Sequence, residues 1–202
     1  MKMDVQQFDR IAREAFAPVY VFIAQQIAER TGITNGVCLD AGSGGGYLSL
    51  ALARITDLDI LLLDSSEEMI DIANQNIAAS HFKARMSVLR GDVHEIPVND
   101  QSIDLVVSRG SVFFWEDKAK AFHEIYRVLA PGGRAFIGGG LGSPEIQAQV
   151  MAKMREINKA WSGPMKRSRN HETEYRKALQ QAGIKNCSVT RSEVGLWIEM
   201  WR

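Results

Sequence analysis

The sequence lacks several features that would assign it to a specialised class of protein. No run of about 18 apolar residues is present, as a membrane helix would need, and the first seven residues lack the apolar core of a signal peptide. We therefore expect a cytoplasmic protein without a membrane span. The only two cysteines, Cys38 and Cys187, do not form a metal-ligand cluster, so we expect no metal site and two reduced thiols.

The chain also lacks an excess of charge of either sign. Its 24 basic residues balance 24 acidic residues, so no overall field favours a nucleic acid or an anionic membrane. One local basic run, at 166–169 with His171 nearby, is open to two interpretations, a solvated loop or a contact for an anionic substrate. The 202 residues, 46% of them hydrophobic, predict one domain that spans 1–202.

What the sequence does contain is a glycine-rich break between an apolar run and a helical pattern. Residues 37–50 read Val-Cys-Leu-Asp-Ala-Gly-Ser-Gly-Gly-Gly-Tyr-Leu-Ser-Leu, which predicts a strand, a loop and a helix. Glycine is needed where the backbone turns with positive φ or approaches a ligand that a Cβ would exclude. The free amides at the start of the helix favour an anion. The stretch therefore predicts a loop that binds a ligand.

Strands and helices alternate along most of the chain. Two N-terminal helices are predicted over 4–16 and 18–31, and further helices up to about 54, after Asp64, over 117–129, from Ser143-Pro144 onwards and over 173–182, with a loop at 161–170. The predicted strands cover 37–41, 59–64, 86–90, 103–108, 134–138, 187–191 and 195–201. This order predicts an α/β, Rossmann-like, doubly wound and mostly parallel seven-stranded sheet, with a C-terminal antiparallel hairpin and helices on both faces. Residues 1–34 would form a lid on a core of 35–202.

Acidic residues follow two of the predicted strands. Ligands of open α/β sheets bind beyond the carboxyl ends of the strands, near the point where the strand order reverses. Asp64 ends the second strand, where its carboxylate can accept both ribose hydroxyls of an adenosine cofactor; an exposed strand-end aspartate is the alternative. Asp92 follows the third strand, and its alternative is a simple turn residue. These positions favour a nucleoside-containing ligand.

Read from Asp40, the loop has the pattern Asp-x-Gly-x-Gly-x-Gly, which resembles the first motif of class I S-adenosylmethionine-dependent methyltransferases. The resemblance extends through Asp64 and Asp92 to the Pro131-Gly132-Gly133 turn, and it is strongest to the small-molecule, menaquinone-pathway-like type. It implies transfer of a methyl group from S-adenosyl-L-methionine to a small or medium-sized acceptor by in-line displacement, with S-adenosyl-L-homocysteine as product.

The resemblance also implies a set of cofactor-binding residues. Asp92 is expected to hold the adenine amine, and the backbone amide of Val93 to meet the adenine ring. The whole expected set is Asp40, Gly42, Ser43, Gly44, Gly46, Asp64, Ser65, Met69, Asp92, Val93 and Ser108.

The run from Ser108 to Trp115 is expected on the acceptor side. It departs from the Asn/Asp-Pro-Pro-Tyr/Phe motif of enzymes that methylate base amines, and no Pro-Cys nucleophile is present, so we expect a small-molecule substrate and not DNA. The balanced charge disfavours RNA. The expected substrate pocket consists of Tyr20, Arg109, Phe113, Phe114 and Trp115, with ordinary packing as the alternative for the aromatic residues.

Two residues are candidates for a part in catalysis. His94 is the nearest candidate base for a hydroxyl or carbon-acid acceptor. Arg109 can bind a substrate carboxylate or phosphate, or pair with Asp92 or another residue of the wall. The sequence leaves the oligomeric state open.

Two other functions are compatible with parts of the pattern. A non-catalytic partner or sensor that binds S-adenosylmethionine would keep the same binding residues. A nicotinamide-dependent oxidoreductase is disfavoured, because its fingerprint needs a third glycine or alanine where Tyr47 stands.

Overall fold

A computed structural model describes residues 5–157, 170–193 and 195–202. The loop predicted at 161–170 lies outside these residues except for Asn170, and the basic run at 166–169 lies wholly outside them. The helices are α1 (Val5–Glu14), α2 (Ala17–Thr31), α3 (Tyr47–Ala53), α4 (Glu67–Ala78), α5 (Lys118–Val128), α6 (Pro144–Ile157) and α7 (Asn170–Gln181). The strands are β1 (Asn35–Ala41), β2 (Asp57–Asp64), β3 (Met86–Arg90), β4 (Ile103–Arg109), β5 (Leu129–Gly140), β6 (Cys187–Arg191) and β7 (Gly195–Trp201).

All seven strands form one sheet in the order β3-β2-β1-β4-β5-β7-β6. The first five strands pair in parallel, while β7 runs antiparallel to both β5 and β6. The strand order reverses between β1 and β4, so a crevice is expected beyond the carboxyl ends of these two strands. The predicted fold class is confirmed, including the antiparallel C-terminal hairpin.

Helices cover both faces of the sheet, because the central strands are apolar on both sides. Leu62 and Leu63 are consecutive in β2, both are buried, and they belong to different apolar clusters. One cluster includes α5 and α7, and the other includes α2 and α3. The sheet therefore separates two cores, as the run of apolar residues in β2 predicts.

The N-terminal helix α2 is part of the core as well as a cover. It opens with Pro18 in its first turn, buries Val19, Ile23 and Ile27, and ends at Gly32 in the left-handed conformation. Its buried side chains pack in the same cluster as Leu52 of α3. This packing fixes the direction in which the chain enters β1.

Two element boundaries differ from the prediction. The fifth strand is longer than 134–138, because Leu129 already pairs with Ile103 before a register shift, after which Arg134 pairs with Leu105. The Pro131-Gly132-Gly133 segment is therefore an irregularity inside β5 and not a turn before it. Helix α7 begins at Asn170, three residues earlier than predicted.

Among the described helices, none is both long and apolar enough to cross a membrane. In the same part of the chain, no group of three or more His, Cys, Asp or Glu side chains is arranged to hold a metal ion.

Candidate functional site

The glycine-rich loop connects β1 to α3 at the carboxyl edge of the sheet. Gly46 precedes α3 with φ of 78°, and a Cβ there would lie 2.5 Å from the side chain of Leu62, so close packing of the helix on β2 requires glycine. Gly44 also has positive φ, 54°, but a Cβ there would have no neighbour closer than 3.9 Å. A side chain at Gly44 would therefore make ordinary van der Waals contacts with Met69 and Phe8, whereas one at Gly46 would clash with Leu62.

The carboxylate of Asp64 joins this loop to the start of α4. Its Oδ2 accepts a hydrogen bond from the Gly44 amide at 2.8 Å, and its Oδ1 accepts one from the Ser66 amide at 2.9 Å. A carboxylate offers about four lone-pair positions, so two remain for a ligand. Ser66 in turn caps α4 by accepting the Met69 amide, which confirms the helix start expected directly after Asp64.

Asp40 lies beneath the loop. Only 1% of its surface is exposed, and one carboxylate oxygen accepts a hydrogen bond from the Ser49 hydroxyl at 2.7 Å. Burial raises the pKa of Asp40 to about 7, although the Ser49 hydrogen bond opposes this change and the negative charge of Asp64 adds to it. The side chain of Asp40 therefore ties β1 to α3, and any contact with a ligand stays a prediction.

Asp92 and His94 form a bonded pair after β3. The Asp92 Oδ1 accepts the His94 amide at 2.8 Å and lies 2.5 Å from His94 Nδ1. These bonds from His94 lower the pKa of Asp92, the backbone bond most strongly. Because His94 Nε2 accepts the Asp117 amide at 3.3 Å, both nitrogens of the ring are engaged. The role of His94 as a base therefore stays a prediction, and it requires the ring to release one of its partners. The exposed carboxylate of Asp92 binds His94 only through Oδ1, so neither of the two bonds from His94 involves its Oδ2.

Serine side chains connect the loop after β4 to the end of β1. Ser111 donates a hydrogen bond to the carbonyl of Ala41 at 2.9 Å, and its hydroxyl lies 2.6 Å from that of the buried Ser108. A Cβ on Gly42 would lie 2.5 Å from the Ser111 side chain. Gly42 therefore lets the two loops on either side of the strand-order reversal touch.

The three aromatic residues after Ser111 have different environments. Phe114 is 72% exposed, whereas Trp115 is 7% exposed and packs edge-on against Phe122 of α5. Phe113 is half-buried and lies 5.9 Å, between ring centroids, from His171. Trp115 therefore fits the packing alternative, and Phe113 and Phe114 stay as predictions for the pocket.

Arg109, at the end of β4, lies under α2. Its guanidinium is 4.6 Å from the centroid of the Phe16 ring and 5.4 Å from that of Tyr20, and its Nη2 donates to the Gly140 carbonyl at 3.1 Å. Burial lowers the pKa of Arg109 and raises the pKa of Tyr20, while their mutual contact opposes both changes. No ion pair of Arg109 with Asp92 occurs in the described part of the chain, whereas the contacts with Gly140 and Tyr20 fit the alternative of pairing with another residue of the wall.

Residues of α1 and α2 close over the glycine loop. The Tyr47 hydroxyl donates to Asp9 Oδ1 at 2.5 Å, and the Tyr47 ring stacks on Tyr20 at 5.7 Å between centroids. Burial and the bond to Asp9 raise the pKa of Tyr47 to about 12. Sequence reasoning missed Asp9, which lies in α1, and Phe16, which lies between α1 and α2, although both fall within the predicted lid of residues 1–34.

The predicted site residues therefore fall into one continuous region. The loop residues, Asp64 and Met69 adjoin one another, since a Cβ on Gly44 would lie 3.9 Å from the Met69 sulfur. Asp92 and Val93 follow β3, and Ser108 and Arg109 end β4, at the same edge. Val93 is buried and Ser65 is exposed.

Comparison with known proteins identifies the family. The family model described as a methyltransferase domain matches residues 39–137, from β1 into β5. The crystal structure of a proposed S-adenosyl-L-methionine-dependent methyltransferase from Methanococcus maripaludis is 42% identical in sequence, with a TM-score of 0.92, and the match covers 98% of this chain and 91% of that one. The chain belongs to the S-adenosyl-L-methionine-dependent methyltransferases.

Curated relatives of this methyltransferase match it over shorter stretches. The chloroplastic 2-methyl-6-phytyl-1,4-hydroquinone methyltransferase 1 of Oryza sativa subsp. japonica is 28% identical over 154 residues, 76% of this chain and 42% of that protein. The ubiquinone/menaquinone biosynthesis C-methyltransferase UbiE of Geotalea daltonii is 32% identical over 105 residues, 51% of this chain and 45% of that protein. The chain thus spans less than half the length of these relatives. None of these matches favours the nicotinamide-dependent or the non-catalytic alternative.

Proposed function

We propose that this methyltransferase binds S-adenosyl-L-methionine in the crevice above β1, β2 and β4 and transfers the methyl group to a small or medium-sized acceptor. The observation that carries the proposal is the pairing of Asp64 with the Gly44 amide. It holds a strand-end carboxylate next to the glycine backbone, the two groups that a ribose and an amino-acid tail need.

The residues of the crevice fit this cofactor in three respects. Gly44 has no Cβ, so a ligand can approach its backbone more closely than it could at another residue. The Ser43 hydroxyl is buried without a hydrogen-bond partner among the described residues, so it can form a hydrogen bond with a ligand. Asp64 keeps two lone-pair positions for the ribose hydroxyls. Asp92 and the Val93 amide would hold the adenine, and Met69 would pack beside the loop.

Methyl transfer requires mainly that the protein position the acceptor relative to the cofactor. When bound, the cofactor supplies a sulfonium whose methyl group is already activated toward a nucleophile. The work of the protein is to hold the acceptor in line with that methyl group and to exclude water. On one side of the crevice, the rings of Tyr20 and Phe16 lie against the Arg109 guanidinium and stabilise its charge by cation–π attraction.

We propose a small molecule, and not DNA or RNA, as the acceptor. The two curated relatives carry names of hydroquinone and quinone methyltransferases, which supports an acceptor of similar size. The exposed Phe114 and the neighbouring Phe113 offer apolar surface beside the crevice for such a molecule. Cytoplasmic location remains part of the proposal.

We further propose that the N-terminal helices act as a lid within one domain. Asp9 of α1 and Tyr20 of α2 both contact Tyr47, which directly follows the glycine loop. A ligand above Gly44 would also meet Phe8, which lies next to this loop. Movement of α1 is therefore coupled to access to the loop.

Replacement of Asp64 tests the proposed cofactor site. Asp64→Ala removes the acceptor for the ribose hydroxyls and the anchor of the Gly44 amide, so we expect S-adenosyl-L-homocysteine to bind more weakly by roughly 1–3 kcal/mol in a calorimetric titration. Asp59→Ala, on the exposed side of the same strand, is the matched control and should bind as the wild type does. Equal affinity of the Asp64 variant and the wild type would remove Asp64 from the site.

A further inference from the structure

Arg109 is a charged side chain whose surroundings do not neutralise it. Its Nε is buried and has no hydrogen-bond partner among the described residues. In the same part of the chain, the only titratable neighbour that affects its pKa is Tyr20, and no carboxylate does. A buried charge without a paired charge is costly, so such groups are usually paired or serve a ligand.

The contacts that Arg109 does make satisfy only part of its bonding capacity. A guanidinium has five N–H donors. One bond goes to the Gly140 carbonyl, and the Tyr20 side chain also accepts a hydrogen bond from the guanidinium. The Phe16 and Tyr20 rings, at 4.6 and 5.4 Å, stabilise the charge, but Nε has no partner among the described residues. The Nε donor is therefore left over.

The position of Arg109 connects this donor to the cofactor crevice. Arg109 is the last residue of β4, next to the point at which the strand order reverses, and the Ser111 side chain two residues later contacts the end of β1. On the other side, its contact to Gly140 reaches the carboxyl end of β5. The guanidinium thus lies between α2 and the carboxyl end of β5, and its partner Tyr20 stacks on Tyr47, which directly follows the glycine loop.

We propose that Arg109 binds the carboxylate of a ligand in this crevice through the edge of the guanidinium that contains Nε. Arginine and carboxylate groups match as a two-bond pair of parallel N–H···O contacts. The proposal rests on the proposed function and adds the chemical class of a ligand group. Two ligands can bring that carboxylate, namely the amino-acid tail of the cofactor and the methyl acceptor. Because Nε is out of contact with solvent, the side chains of α2 that cover it must shift when the ligand binds.

The first experiment separates the cofactor from the acceptor as the source. Wild type and Arg109→Gln are titrated by calorimetry with S-adenosyl-L-homocysteine and with 5′-methylthioadenosine, which retains the adenosine and the thioether but has no amino-acid tail. If the cofactor supplies the carboxylate, the variant loses roughly 10- to 100-fold in affinity for the first ligand and none for the second. Equal losses for both ligands would indicate a structural role and overturn the proposal.

The second experiment addresses the acceptor. Benzoate and succinate are titrated into the wild type and the variant, each saturated with S-adenosyl-L-homocysteine. If the acceptor supplies the carboxylate, the variant binds S-adenosyl-L-homocysteine normally, and at least one of the two acids binds to the wild type but not to the variant. The proposal is overturned if the variant binds S-adenosyl-L-homocysteine normally and the acids either bind both proteins equally or do not bind to the wild type.

Three controls keep the two proposals apart. Arg54→Gln, at an exposed position at the end of α3, should bind every ligand as the wild type does. Arg109→Lys keeps the charge but not the planar guanidinium, so it should lose less affinity than Arg109→Gln for the same ligand. It replaces the glutamine variant if that protein does not fold. A wild type that fails to bind S-adenosyl-L-homocysteine contradicts the proposed function itself, whereas normal binding with no effect of Arg109 contradicts only this inference.

Discussion

At the scale of single residues, the acidic and basic groups of the crevice have different degrees of burial and different hydrogen-bond partners. Asp40 is buried and its pKa is raised to about 7, so it is close to half-protonated at neutral pH. Asp64 is half-exposed and accepts hydrogen bonds from two backbone amides. Arg109 lies on the opposite wall without a carboxylate partner in the described chain. Acidic and basic side chains therefore stand at the same edge of the sheet.

The raised pKa of Asp40 predicts a pH dependence of stability. The folded protein holds the proton up to about pH 7, while the unfolded chain releases it near the ordinary aspartate pKa of 3.8. The folded state binds more protons between these values, so Asp40 lowers the free energy of unfolding as the pH rises through this window. Each unit of difference corresponds to about 1.4 kcal/mol, so the loss is on the order of 3 to 4 kcal/mol by pH 7.

Comparison of wild type with Asp40→Asn measures this effect. Asparagine keeps an oxygen for the Ser49 hydroxyl but carries no charge, so the variant should gain stability relative to the wild type as the pH rises from 5 to 8 in denaturant unfolding. Asp59→Asn, exposed on β2, should show no such trend. A stability difference between wild type and the Asp40 variant that does not change with pH would contradict the assignment.

Single residues also differ in how far the sequence predicts their environment. The roles of Gly42 and Gly46 in tight packing are predictable, because glycine at fixed spacing after a strand has few explanations. Phe114 and Trp115 are adjacent in a loop without periodicity, and one is exposed while the other is buried. Local sequence contains no signal that separates such neighbours, because their burial depends on which side of the loop faces α5.

At the scale of elements, the contact between α1 and α3 determines how the loop is covered. The bond between Asp9 and Tyr47 joins residues that are 38 positions apart. The helical pattern of residues 4–16 predicts α1 but not this partner. The contact depends on where α2 directs α1, which is a tertiary effect.

Removal of the Tyr47 hydroxyl tests the coupling of α1 to the loop. Tyr47→Phe keeps the stack on Tyr20 but loses the bond to the Asp9 carboxylate, so we expect backbone amides of residues 5–14 to exchange hydrogen about fivefold faster, the effect of roughly 1 kcal/mol for one hydrogen bond. S-adenosyl-L-homocysteine should also bind and dissociate faster.

The matched control for this prediction is Tyr126→Phe, in α5 on the other face of the sheet, which should leave exchange in α1 unchanged. Hydrogen-exchange mass spectrometry provides the measurement. Exchange in α1 that is the same in the Tyr47 variant and the wild type would show that this bond does not hold the helix.

At the scale of the whole molecule, the order of the strands brings separate motifs together. Asp64 follows β2, Asp92 follows β3 and Arg109 ends β4, and the parallel sheet places all three at one edge. The alternation of strands and helices was sufficient to predict this edge and the fold class. The extension of β5 through Pro131 was not predictable, because proline and glycine usually end an element, and here the pairing of Leu129 with Ile103 continues the strand before the irregularity.

The most direct test of the central claim is a calorimetric titration of the wild-type protein with S-adenosyl-L-homocysteine and, in parallel, with NAD. The account predicts one site per chain for the first ligand, with affinity in the micromolar range or tighter, which corresponds to about −8 kcal/mol. It predicts no binding of NAD, since Tyr47 stands where a dinucleotide-binding loop needs a small residue. Binding of NAD without binding of S-adenosyl-L-homocysteine would contradict the assignment of the glycine loop and of the crevice.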